Sequence, residues 1–177
     1  PYNENRKAIT WEESSLRSWL NGKFINRAFS DEEKEKINIT EIVNQDNRDY
    51  GTEGGNNTSD KIFLLSLQEI SPWLDGKKYG FLNQEVIDCK TSSFSKIGAI
   101  YLWLRSPGGY SNLAAEVLSN GYVIENGDSV DYDDDGVRPA LYLNLSSFNL
   151  FSYAGTVSSD GTENEVPYNT KTRLIQK

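Results

Sequence analysis

The sequence predicts an α+β domain in which two short helices at the start pack on antiparallel sheets built from the later residues. Two capping boxes fall in the first 36 residues, Thr10-Trp-Glu-Glu13 and Ser30-Asp-Glu-Glu33. In each, the leading hydroxyl accepts from the backbone three residues on and the glutamate reaches back. Three apolar runs follow, at 60–66, 99–105 and 137–145, with an Asn-Gly pair at 120–121. Helices first and antiparallel strands after is the order of an α+β fold.

In the first helix Leu16, Trp19 and Leu20 fall on one face, and Asn21-Gly22 supplies the stop. The second, charged helix runs from Ser30 to about Lys36, and Ile37 to Val43 suggests a brief extended segment. Residues 44–59 are polar with little to bury and are expected to form a mobile loop. Asp60-Lys-Ile-Phe-Leu-Leu-Ser66 has the composition of a buried strand, and 71–98 has no clean period. The arms 114–119 and 122–125 around Asn120-Gly121 have the chemistry of a type I′ hairpin. A last hairpin is expected around Asp160-Gly161.

Composition excludes much. The chain has 177 residues, enough for a single domain with a real core, and 37% hydrophobic content. Its net charge of −8 disfavours nucleic acid and anionic membranes. No apolar stretch reaches the roughly 18 residues of a membrane span, so membrane insertion is not expected. There is no histidine, which removes imidazole chemistry, and Cys89 is alone, which removes an internal disulfide and any cysteine zinc cluster. Pro1 is not a methionine and no signal-peptide pattern follows it, as expected of a processed product or a piece of a longer protein.

Trp11-Glu-Glu-Ser-Ser-Leu-Arg-Ser-Trp-Leu-Asn-Gly22, Asp60-Lys-Ile-Phe-Leu-Leu-Ser66, Trp103-Leu-Arg-Ser-Pro-Gly108 and Gly136-Val-Arg-Pro-Ala-Leu141 are four ordered blocks covering most of the chain. Together they resemble a domain family common in gut bacteria, whose members look like a branch of the C-type-lectin-like fold near the formylglycine-generating enzymes. The resemblance implies that fold, with long irregular loops, over residues 1–177. Members of the family carry further strands before the first helix, where this chain has about nine residues. The sheet is then expected either to be incomplete or to take its closing strand from the tail around Tyr168. Formylglycine-generating enzymes work through two cysteines, so one cysteine does not carry that activity. The chain is also similar to variable proteins of diversity-generating retroelements, which place variable residues before a Gly-Val/Phe-Arg block. The equivalent stretch here, 101–135, is rich in Tyr, Asn, Ser, Asp and Gly, a mixture suited to adaptable contact.

The expected function is therefore non-catalytic binding of a protein or glycan through loops between 101 and 135, on a bacterial surface, extracellularly or on a phage particle. The expected ligand-binding residues are Tyr101, Trp103, Tyr110, Ser111, Asn112, Asn120, Tyr122, Tyr132 and Asp133. Asp131-Tyr-Asp-Asp-Asp-Gly136 fits the first half of a calcium loop, making Asp131, Asp133 and Asp135 candidate cation ligands. The twelfth position is Tyr142, which cannot chelate as a glutamate does, so an EF-hand is excluded and no other cofactor is implied. Arg105 and Arg138, with Trp11 and Trp19, are expected to be framework. The alternatives are an enzyme of the same broad fold using carboxylates such as Glu116 and Glu125, or a structural module of a larger surface protein.

Overall fold

Trp11 sets where the first helix begins. Its indole is inside the core, with Nε1 donating to Asp60 Oδ2 at 3.0 Å. The chain turns around it, so the helix starts at Ser15 and Ser14 caps it, its Oγ accepting from Arg17 N at 3.1 Å. The expected cap at Thr10 is displaced because that residue lies in the turn carrying Trp11, where its carbonyl accepts from Glu13 N at 3.2 Å. The computed structural model describes residues 1–71, 101–118, 121–144, 155–157 and 163–165. It divides into two units, Pro1–Leu143 and Asn144–Lys177.

In the first unit, helix α1 (Ser15–Trp19) does not stop at Asn21-Gly22. It continues through a π-helical turn, Leu20–Phe24, into α2 (Ile25–Ala28). A π turn adds one residue, so Leu16, Leu20 and Ile25, spaced four and five apart, are all buried. Trp19 then falls outside that face: it is 44% exposed and lies against Phe24, with ring centroids 5.1 Å apart. Trp19 is thus a surface residue and not part of the buried frame. Asn21 spends its side chain elsewhere. Its Oδ1 accepts from Lys61 N and Ile62 N at 2.9 and 3.0 Å, and its Nδ2 donates to Ile62 O at 2.7 Å. The second capping box forms at Ser30 and Glu33 and opens α3 (Asp31–Lys36).

Strands β1 (Thr40–Ile42) and β2 (Thr58–Asp60) pair antiparallel across the polar segment 44–57. That segment is tied down by an internal frame. Asn47 N donates to Thr52 O at 2.9 Å, Gly51 N to Asn47 O at 2.7 Å, and Gly54 N to Asp46 Oδ1 at 2.9 Å. The expectation of a mobile loop is therefore corrected, because buried polar groups inside the loop satisfy one another.

Beyond Asp60, which ends β2, the run 61–66 is largely buried but is not a ladder strand. Ile62, Phe63 and Leu64 are all in the core, so it is covered on both sides. Its backbone is shared among Asn21, an antiparallel bridge from Phe63 to Ala140, and Leu65 O, which accepts from Arg105 N at 3.0 Å. A third capping box, Ser66 with Glu69, opens the short helix α4 (Leu67–Ile70). Of the run 137–145, residues 137–143 are likewise outside any ladder, held by Ala140 on Phe63 and Leu143 on Ile37, and Leu145 lies outside the described residues.

Strands β3 (Tyr101–Pro107), β4 (Leu113–Leu118) and β5 (Val123–Ser129) form an antiparallel sheet in the order β3-β4-β5. Side chains alternate between its faces. Trp103 and Ala114 join the cluster containing Tyr2, Trp11, Leu20 and Phe63, while Leu102, Leu104, Ala115, Val117 and Val123 form a second cluster with Ile70. Gly127, at φ 68°, sits where the β4–β5 register shifts, and a Cβ there would lie 1.9 Å from Ala114 O. Only glycine allows that bulge.

The N-terminal segment closes this unit. Asn3 N donates to Val130 O at 2.7 Å, Ile9 N to Ser111 O at 2.9 Å, and the Tyr2 hydroxyl to Arg105 O at 3.0 Å. Tyr2 also lies edge-on to Trp103, 5.9 Å between centroids. Short as it is, the segment before the first helix thus ties itself to the sheet. In the second unit β6 (Gly155–Val157) pairs antiparallel with β7 (Glu163–Glu165), flanking Asp160-Gly161 as the sequence suggests. Tyr168, Cys89 and Asn120 lie outside the described residues.

Candidate functional site

Arg105 fixes the frame on which the loops stand. Its guanidinium donates to both oxygens of Glu69, to Leu64 O at 2.7 Å and to Val43 O at 3.2 Å, and it lies 5.9 Å from the Phe63 ring centroid. One side chain so joins β3, α4, the 60–66 run and the segment after β1. Burial works to raise the Glu69 carboxyl, but hydrogen bonds from Arg105 and Ser66 and the charge of Arg105 hold it below its ordinary range. A cavity of ≈ 160 Å³ lies against this pair. It is below the roughly 300 Å³ where ligand pockets begin, and its arginine is spent on Glu69 and two carbonyls.

The turn after β3 is fixed by Asn47. This amide is 0% exposed, and its Nδ2 donates to Pro107 O at 2.9 Å and Glu125 O at 3.0 Å, with Gly108 O at 3.4 Å. Within the turn Gly108 N donates to Leu113 O at 2.8 Å and Gly109 N to Asn126 O at 2.8 Å. A Cβ on Gly108 would stand 2.3 Å from Asn126 O and 2.7 Å from Leu113 Cβ. Gly108→Ala is therefore expected to cost about 1–3 kcal/mol, read as a lower urea midpoint. An unchanged midpoint would contradict this packing.

On that fixed turn Tyr110 is 70% exposed and Ser111 is exposed. Asn112 is half-buried, and its carbonyl accepts from Val130 N at 3.2 Å, which brings the start of the 130–136 segment alongside. Tyr132, 51% exposed, follows directly, with Asp131 held by Ser129 Oγ at 2.6 Å and Asp133 exposed. Tyr50 completes the patch: a Cβ on Gly109 would lie 3.2 Å from its ring, so the exposed ring stands over the turn.

The structure divides the expected site. Tyr110, Ser111 and Asn112 belong to one end of the sheet with Tyr132, whose N–H donates to Ser129 O at 3.0 Å, while Asp133 lies further along the 130–136 segment. Tyr101 pairs with Leu118, and Leu118 N donates to Tyr122 O at 2.8 Å, which puts Tyr101 and Tyr122 at the other end. The length of β4 separates the two ends by roughly 17 Å. Trp103, expected among the ligand-binding residues, is instead 2% exposed, because its face of β3 is covered by the Tyr2–Trp11 cluster. Asp131, Asp133 and Asp135 are not gathered, since the first two are exposed and Asp135 turns inward. Among the described residues no three His, Cys, Asp or Glu side chains group as a metal would need. Arg138 is half-buried on the extended segment between the Gly136 and Ala140 bridges.

Glu116 and Glu125 do not form an acid/base pair. Glu116 stands opposite Ile124, so alternation turns Glu125 to the other face. Tyr50 and Asn47 escaped the reading of the sequence, although Asn47-Arg-Asp-Tyr-Gly51 carries the signal of an Asx turn. Asp49 N donates to Asn47 Oδ1 at 3.1 Å, and Gly51 has φ 70°.

The fold and this patch define an α+β domain that holds exposed tyrosines on a fixed turn. The chain belongs to the family described as Domain of unknown function (DUF6273), whose model matches residues 1–145. No curated protein and no solved structure matches it.

Proposed function

We propose that this chain is a non-catalytic binding domain of C-type-lectin-like architecture, displayed outside a bacterial cell or on a phage, which grips a protein surface with Tyr50, Tyr110 and Tyr132. The observation that carries this reading is the fully buried Asn47 amide, which fixes the turn beneath Tyr110. Exposed aromatics on a pre-organised backbone lose little freedom on binding, so their contact area converts efficiently into affinity. The surrounding Ser111, Asn126 and Asp133 are exposed and supply hydrogen-bonding groups. The expected resemblance to retroelement-diversified proteins, whose variable residues would fall in 101–135, is in keeping with this choice of Tyr110 and Tyr132.

Protein and glycan arrays probed with the domain, with and without chelator, identify the ligand and its calcium dependence. Tyr110→Ala with Tyr132→Ala is expected to weaken the captured interaction at least about 30-fold, the scale of a paired hot spot. Tyr122→Ala, at the far end, is expected to change it less than about twofold. Unchanged affinity in the double variant would remove the proposal; capture on the glycan array alone would replace the protein ligand.

A further inference from the structure

The segment 130–136 crosses the sheet. β5 is one edge, and Gly136 pairs with Leu102 along the outer side of β3, with Gly136 N donating to Tyr101 O at 2.8 Å and Trp103 N to Gly136 O at 3.1 Å. Gly136 lies three strand spacings, about 14 Å, across from β5 and also toward the Tyr101 end, so the segment crosses obliquely and close to the reach of about 20 Å that six residues have. Val130 shares its cluster with Trp103 and Ala114, which places the crossing on their face. Glu116 is the cross-strand partner of Trp103 and presents its carboxyl on that same face. Asp134 and Asp135 of the crossing segment act on its charge, and the residue is 4% exposed.

Neither Glu116 Oε2 nor Asp135 Oδ2 has a hydrogen-bond donor among the described residues, and both atoms are buried. The charges around Glu116 are of one sign: Asp134 and Asp135 on the crossing segment and Asp128 on β5. The Trp103 indole across the ladder is neutral, and the chain's amino terminus acts on Asp135 alone. A buried carboxylate oxygen in that company has lost water without gaining a donor.

We propose that 130–136 is a proton-latched strap, which lies down on the sheet while Glu116 carries its proton and loosens at the Gly136 end when Glu116 ionises. Through Tyr132 the strap regulates the tyrosine patch, a consequence that rests on the function proposed above; the latch itself does not. Burial pushes Glu116 up to about 7, with Asp135, Asp128 and Asp134 adding to it. Burial, then Asp134 and Asp128, raise Asp135 to about 6 against the pull of the amino terminus. A closed strap that raises an acid's pKa binds protons more tightly than an open one. Closure is fully favoured below the ordinary carboxyl range and is lost as pH rises through about 7.

The test is amide hydrogen exchange on the full chain between about pH 5 and about pH 8, corrected for intrinsic rates, read at Gly136 and Trp103. Protection is expected to fall about tenfold or more, the effect of one pK unit, to fall less in Glu116→Gln, where Asp135 still titrates, and to stay level in Glu116→Gln with Asp135→Asn. The Phe63 and Ala140 amides, bonded to each other's carbonyls, are expected not to move. Level protection in the natural chain, an equal fall in Glu116→Gln, or an equal fall at Phe63 and Ala140 would each overturn the latch. Should Glu116→Gln not fold, carboxyl-carbon NMR of the natural chain decides: a Glu116 midpoint in the ordinary range refutes the latch, and one well above it supports it. No ligand enters these measurements, so their failure leaves the tyrosine patch untouched, and failed binding leaves the latch.

Discussion

Arg105→Ala is expected to lower the stability of the first unit by about 3–5 kcal/mol, close to its whole margin. The arginine is 4% exposed and satisfies Leu64 O, Val43 O and the Glu69 carboxylate together. Removing it leaves a half-buried carboxylate held, among the described residues, by the Ser66 cap, and two carbonyls without this donor. Truncating one partner of a buried pair costs far more than the pair contributes, because the other charge remains. Glu69→Gln is expected to cost less, since Arg105 keeps its two carbonyls. Urea unfolding of both variants and of the double variant measures the coupling, and an Arg105→Ala cost under about 1 kcal/mol would contradict this role. Arg105→Lys is not expected to rescue, because an ammonium cannot span the fork.

Asn47→Ala is expected to cost about 2–4 kcal/mol and to free the turn at 107–112 without unfolding the hairpin. The amide serves Pro107 O and Glu125 O, and its Oδ1 accepts from Asp49 N. Each buried polar group left unpaired costs about 1–3 kcal/mol. Hydrogen exchange at Gly109 and Leu113 is expected to speed up more than at Val117, inside the ladder. A uniform change along β4 would mean that Asn47 supports the whole sheet and not the turn in particular.

The strongest local signals in the sequence correspond to what forms: the Ser30 capping box, the apolar run 99–105, whose described residues 101–105 lie in β3, and the two hairpin arms. Long-range partners decide the rest. Trp11 must reach Asp60, 49 residues away, and in doing so moves the helix start to Ser14. Asn21 has a stop residue's chemistry but is used as a strand mimic for 61–62, so the helix runs on through its π turn. Segment 44–57 looks empty by hydrophobicity because polar bonds hold it. The loop residues Tyr110, Ser111 and Tyr132 are legible as surface from their turn context. Which of them share an end depends on strand register, and Tyr50 joins them only through Asn47's grip on the turn.

The measurement closest to the central claim is a hydrogen-exchange footprint of the domain bound to the partner that the arrays capture. Protection confined to Tyr50, residues 108–112 and residues 131–133 is the predicted result. Protection centred on Tyr101 and Tyr122, at the other end of the sheet, would contradict it.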